Sequence, residues 1–122
     1  MERTLSIIKP DAVEAGNADK IMTHLVGEGF KILAVRRLRL TEPQAQAFYE
    51  VHKERPFYND LVSFMTSGTV VALALERANA VRHLRDAMGA TNSEEAEEGT
   101  IRNLYGTSIE RNAIHGSDSP ET

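Results

Sequence analysis

Four histidines, no cysteine and a scatter of lysines and arginines set the chemistry open to this sequence. Without a thiol, disulfides, thiolate metal sites and a cysteine nucleophile are all excluded. His24, His52, His83 and His115 are far apart, with no closely spaced pair of the kind that ligates a metal. His24 and His83 fall on amphipathic segments, where a histidine is more often structural than functional. His115 has different neighbours, in the run Asn112-Ala113-Ile114-His115-Gly116-Ser117-Asp118-Ser119. Glycine lets backbone approach a ligand closely, and hydroxyls and a carboxylate can orient an imidazole or hold water. A polar turn carrying a surface histidine explains the same letters, so local sequence leaves both readings open.

The cations come next. Lys9 stands just past the first apolar run, Arg82 and Arg85 are three apart on one helix, and Arg102 lies in a long aperiodic stretch. Phosphoryl transfer needs positive charge and fixed geometry around the transferring group, so separated cations converging on one histidine would serve it. Taken singly, each is more often a solvated surface charge. No glycine-rich strand-to-helix turn is present, which disfavours the P-loop and dinucleotide-binding folds.

The elements that must position these residues are legible from periodicity. Leu5-Ser6-Ile7-Ile8 reads as a short buried strand cut off by Lys9-Pro10-Asp11. Ala18, Ile21, Met22, Leu25 and Val26 draw one apolar helix face, with Gly29 as its stop. Residues 30–40 alternate, with Phe30, Ile32, Ala34, Leu38 and Leu40 on one parity and Arg37 and Arg39 on the other. That pattern predicts a strand with one face near solvent. Thr41, Pro43 and Gln44 make a capping-box helix start, and Ala45, Phe48 and Tyr49 continue that helix until Pro56 breaks it. Leu61, Val62 and Met65 outline another helix ending near Gly68, the run 70–75 predicts an internal strand, and Ala80, Val81, Leu84 and Met88 predict one more amphipathic helix. From 89 to 112 no strong period appears, and Glu94, Glu95, Glu97 and Glu98 suit a solvated loop surface. Loops of such length in a small domain tend to be functional or disordered. The order β-α-β-α-α-β-α, then loop and tail, implies a small α+β sandwich with helices packed on one sheet.

Bulk properties agree. The 122 residues suit a single domain, 1–122, able to bury a real core, and 41% hydrophobic with 26% charged residues is ordinary for a soluble globule. A net charge of −4 argues against broad binding to nucleic acid or membrane phosphates, though a local cation cluster could still hold a nucleotide. No signal-peptide pattern or membrane-spanning run is visible, and the absence of disulfides suits a cytoplasmic address.

Read together, several blocks resemble the nucleoside diphosphate kinase family over almost the whole chain. They are Arg3-Thr4-Leu5-Ser6-Ile7-Ile8-Lys9-Pro10-Asp11, Phe48-Tyr49, His52-Lys53-Glu54-Arg55-Pro56-Phe57-Tyr58 and Phe64-Met65-Thr66-Ser67-Gly68. Met88-Gly89-Ala90-Thr91-Asn92, Gly99-Thr100-Ile101-Arg102 and the block around His115, similar to the family's active-site signature, complete the set. The resemblance implies a ferredoxin-like βαββαβ fold, with a four-stranded antiparallel sheet covered by helices and a long loop before the catalytic histidine. It also implies ping-pong transfer of a γ-phosphate from ATP or another nucleoside triphosphate to a nucleoside diphosphate. Carried over by position, His115 is the phosphorylated nucleophile. Lys9, Arg85 and Arg102 bind phosphate oxygens, Thr91 donates a hydrogen bond to them, and Tyr49 lies beside the histidine. Asn112 reaches the sugar hydroxyl, Phe57 stacks on the base, and Ser117 and Asp118 support the site. Mg2+ rides on the nucleotide phosphates with no direct protein ligand, base specificity is broad, and the partners are nucleotides and further copies of the chain in a dimer-based tetramer or hexamer.

The sequence departs from the family's pattern at Thr69 and Ser93, where proline is usual, and at Asp19, where glycine is common. It also stops soon after His115, short of the family's C-terminal helix and tail, whose glutamate hydrogen-bonds the histidine; shortening of the chain is the favoured reading, and substitution by another residue such as Asp118 is the alternative. Two rival readings are a non-enzymatic relative that keeps the fold for binding, which turnover would exclude, and a nucleic-acid-binding module. The second is disfavoured by 6% aromatic content and negative charge.

Overall fold

The computed structural model describes residues 1–50, 53–56, 58–90, 92–106 and 113–116. Four strands form one antiparallel sheet in the order β2-β3-β1-β4, with β1 Glu2–Ile8, β2 Lys31–Arg39, β3 Thr69–Arg77 and β4 Ile114–Gly116. The helices are α1 Pro10–Glu14, α2 Ala18–Gly27, α3 Glu42–Phe48, α4 Tyr58–Thr66, α5 Ala80–Met88 and α6 Ile101–Tyr105, with a 3₁₀ turn at Ser93–Glu95. This is the four-stranded antiparallel sheet with flanking helices expected of a ferredoxin-like α+β fold.

Alternation along β1 and β3 sends successive side chains to opposite faces and so divides the core in two. Ile8, Val71, Leu73 and Leu75 pack with Ile21 and Leu25 of α2 and Leu84 of α5. Ile7 and Val70 face the other way, into a smaller cluster with Ala45, Tyr49, Leu61, Phe64 and Met65 around α3 and α4. The helix starts follow the chemistry read from the sequence. Thr41 Oγ1 accepts from the Gln44 N–H while Gln44 Oε1 accepts from the Thr41 N–H, closing the capping box of α3.

Strand β2 departs from expectation. Its residues are exposed at nearly every position, and no continuous buried face exists. A register shift between Ile32 and Ala34 breaks the continuity of its inner face. A single inserted residue moves every later side chain to the other face of the sheet. Phe30 and Ile32 therefore belong to the α2/α5 cluster, whereas Leu38 and Leu40, of the same parity in sequence, pack against the α3/α4 cluster. Ala34, expected inside, is exposed. The aperiodic stretch from 89 onward holds the 3₁₀ turn, the five-residue α6 and then β4. The Lys9-Pro10-Asp11 break is itself the start of α1, with proline in the first turn, where its missing N–H costs nothing.

Candidate active site

His115 is the middle residue of β4, half-buried, and pairs with Ile7 of β1. Its ring and that of Tyr49 stand in a T-shaped arrangement, with centroids 5.4 Å apart and planes at 74°. Tyr49 closes α3 and is 3% exposed. Burial pushes its phenol well above the ordinary value, against a smaller pull from the charge of Arg102, so it stays a neutral hydroxyl.

Arg102 reaches the same point from α6. Its Nη2 donates to the carbonyl of Ile114, immediately before His115, at 2.9 Å, and its Nη1 donates to the carbonyl of Gly89 at 3.0 Å. Two features set up that second bond. Gly89 has φ +87°, and a Cβ there would lie 2.5 Å from Oγ1 of Thr100, so glycine is required. Thr100 Oγ1 in turn accepts from the Asn103 N–H and starts α6. Arg102 is 8% exposed, and burial lowers its guanidinium to about 10, with Arg85 lowering it further and Tyr49 opposing. It remains charged at neutral pH. Its buried Nε has no hydrogen-bond partner among the described residues.

Lys9, 4% exposed, caps the start of α1, and its backbone N–H donates to Ala113 at 2.7 Å. Ala113 has φ +73°, a conformation costly for any residue with a Cβ. It is held there from both sides, because its own N–H donates to Oδ2 of Asp11 at 3.2 Å. Arg85 of α5 is exposed and lies close enough to Arg102 for its charge to act on that guanidinium.

Of the residues read from the sequence, Lys9, Tyr49, Arg85, Arg102 and His115 therefore gather at one end of the β1–β4 pair. Phe57, Thr91, Asn112, Ser117 and Asp118 lie outside the described residues, as does His52. His83 and His24 stand elsewhere, on either side of Glu28, at 2.9 and 4.0 Å. Among the described residues no group of three or more histidines or carboxylates could hold a metal ion. A shallow depression lined by Met1, Glu2, Arg3, Ala78 and Asn79 lies at the far end of β1 from Lys9 and takes no part. Sequence reading passed over Asp11 and Ser6, whose Oγ donates to the carbonyl of His115 at 2.8 Å. The one signal for Ser6 was a hydroxyl inside an apolar run.

Comparison with known proteins points one way. The family model described as nucleoside diphosphate kinase matches residues 2–122. The nucleoside diphosphate kinase of Persephonella marina is 56% identical over 122 residues, which is 100% of this chain and 87% of that protein. The crystal structure of the Aquifex aeolicus nucleoside diphosphate kinase superposes with TM-score 0.95 at 50% identity, covering 98% of this chain and 87% of that one. The Halobacterium salinarum nucleoside diphosphate kinase, solved in complex with CDP, gives TM-score 0.93 at 44% identity, over 96% of this chain and 77% of that one.

Proposed function

The chain belongs to the nucleoside diphosphate kinase family, and we propose that it carries the transferred phosphoryl group on His115. A ring nitrogen of the neutral imidazole attacks the γ-phosphorus of a nucleoside triphosphate, a P–N bond forms, and the bond to the β-phosphate oxygen breaks as the diphosphate leaves. A second nucleoside diphosphate then takes the group by the reverse step. Neutral imidazole is a good nucleophile near pH 7, and a covalent intermediate lets one pocket serve donor and acceptor in turn.

The observation that carries this reading is the convergence of Tyr49, Arg102 and the backbone of Lys9 on the strand that holds His115. Lys9, Arg85 and Arg102 would neutralise oxygens of the transferring group, where fixed charges act without reorganisation. All three are cations, suited to phosphate oxygens rather than to a metal. A magnesium ion would accordingly be held by the β- and γ-phosphates, and it supplies further charge neutralisation when bound. Thr91 would add a hydrogen bond, Asn112 would meet the sugar, and Ser117 and Asp118 would support the imidazole. Phe57 would stack on the base, and stacking accepts every base because each has a π-face.

The reading treats 1–122 as one domain of a cytoplasmic homo-oligomer, tetramer or hexamer. No helix among the described residues is long and apolar enough to cross a membrane. The exposed Leu33 and Val35 on the open edge of β2 give a surface for a second copy.

Initial velocities with ATP varied at several fixed GDP concentrations test the mechanism. Parallel double-reciprocal lines are expected; lines that intersect would mean that both nucleotides bind before transfer, and the covalent route would fail. Comparable kcat/KM for ADP, GDP and CDP is the companion expectation for base stacking.

A further inference from the structure

Ser6 is an anomaly in β1. Its neighbours are Leu5, Ile7 and Ile8, it is 0% exposed, and it shares a face with Ile8 against the α2/α5 core. An aliphatic residue would suit that position better, since a buried hydroxyl is unfavourable unless it is hydrogen-bonded. The bond it makes is specific. Ser6 is the register partner of Gly116, yet its Oγ donates to the carbonyl oxygen of the preceding residue, His115, at 2.8 Å.

That carbonyl belongs to the peptide plane between His115 and Gly116. Rotation of the plane changes ψ of His115 and φ of Gly116, and glycine opposes such rotation less than any other residue. Strand β4 is three residues long and, among the described residues, lies at the sheet edge, paired with β1 alone. In the ladder the Ile7 N–H donates to this same His115 carbonyl, and the remaining attachments of β4 fix different points. Arg102 holds the Ile114 carbonyl, Asp11 holds the Ala113 N–H, and Leu84 and Met88 of α5 close over Gly116, where a Cβ would lie 2.8 and 3.0 Å from their side chains. The Ser6 hydroxyl adds a side-chain bond to the plane that follows the imidazole-bearing Cα.

We propose that Ser6 is a positioning residue: its hydroxyl fixes the His115–Gly116 peptide plane and thereby the direction in which the imidazole presents its nitrogen to phosphorus. The inference rests on His115 being the nucleophile. Ser6 touches no substrate and acts through the backbone of the residue that does.

Single-turnover phosphorylation by magnesium ATP, without acceptor, separates orientation from folding. The amplitude counts competent sites, and the rate constant reports how well each competent site is aligned. Ser6→Ala is expected to keep full amplitude and unchanged ADP affinity while its rate constant falls about tenfold, less than the hundredfold that a full 1 Å misplacement costs. Ser6→Thr, which restores the hydroxyl, should recover most of the rate. If the threonine variant does not fold, Ser6→Cys replaces it: a rate between those of alanine and wild type supports the proposal, and one no faster than alanine opposes it. A wild-type rate constant in Ser6→Ala overturns the proposal, as does a folded Ser6→Thr as slow as alanine. If the wild-type protein forms no phosphohistidine, the reading of His115 fails first and the role of Ser6 falls with it.

Discussion

The two edge strands of the sheet are built on opposite plans. Strand β2 has nine residues, runs along β3 with a register shift at Leu33, and leaves nearly every side chain exposed. Strand β4 has three residues, yet Ile114 and Gly116 are buried and His115 is half-buried. Side chains from β1, α1 and α6 bond directly to β4 or to the residue before it, and α5 closes over its last residue. The difference teaches that ladder length does not fix a reacting group. A long ladder can bulge and still pair, whereas a short strand tied at consecutive peptide groups by separate elements has little freedom left. Chemistry that depends on sub-ångström placement suits the second plan.

Removing one tie from β4 should produce the largest effect. Arg102→Ala strips the donor from two carbonyls, Gly89 and Ile114, and is expected to destabilise the fold by about 2–4 kcal/mol. It should also lower the single-turnover phosphorylation rate by far more than tenfold. Chemical denaturation together with rapid quench would read both. Near-wild-type values in both would show that the guanidinium ties are dispensable.

Gly116→Ala places a methyl against Leu84 and Met88, both buried, and should cost about 1–3 kcal/mol by overpacking. The denaturation midpoint should fall with an unchanged slope, and a variant as stable as wild type would mean that α5 yields easily. On the other edge, Arg36→Lys keeps the charge of an exposed side chain and should change stability by no more than about 0.5 kcal/mol, with the phosphorylation rate constant per site unchanged. A slowed rate there would erase the contrast between the edges.

The smallest effect concerns Asp11 and is a matter of pH. Burial raises its carboxyl above the ordinary 3.8, against the opposing pull of Lys9 and of the backbone N–H groups. With the folded value above the unfolded one, its contribution to stability is full below the unfolded value and is lost as pH rises through the folded value. Asp11→Asn removes that loss while keeping an acceptor for Ala113. The variant should therefore gain on wild type as pH is raised from acid toward neutrality, and then hold a constant lead. A lead that shrinks with rising pH would reverse the sign of the burial effect.

Elements with several turns or a clean alternation could be read from the sequence. Strand β3, α2 and α5 fall where their periods put them, and Thr41 and Gln44 cap α3 as their spacing implied. Five-residue helices such as α1 and α6 are too short to show a period, and the three residues of β4 cannot display alternation at all. The bulge at Leu33 was hidden because parity in sequence assumes unbroken pairing. The cations and His115 could be named from residue type and resemblance. Their anchoring could not, because the bonds of Arg102 and Ser6 go to backbone carbonyls, which every residue carries and no sequence distinguishes.

The most direct test of His115 as carrier is intact-mass analysis of the protein after incubation with magnesium ATP and no acceptor. One phosphoryl group, acid-labile and alkali-stable, should appear, be absent from His115→Ala, and discharge onto GDP as GTP. An unmodified mass in a protein that still binds ADP, or a phosphoryl group that persists in His115→Ala, would contradict the account.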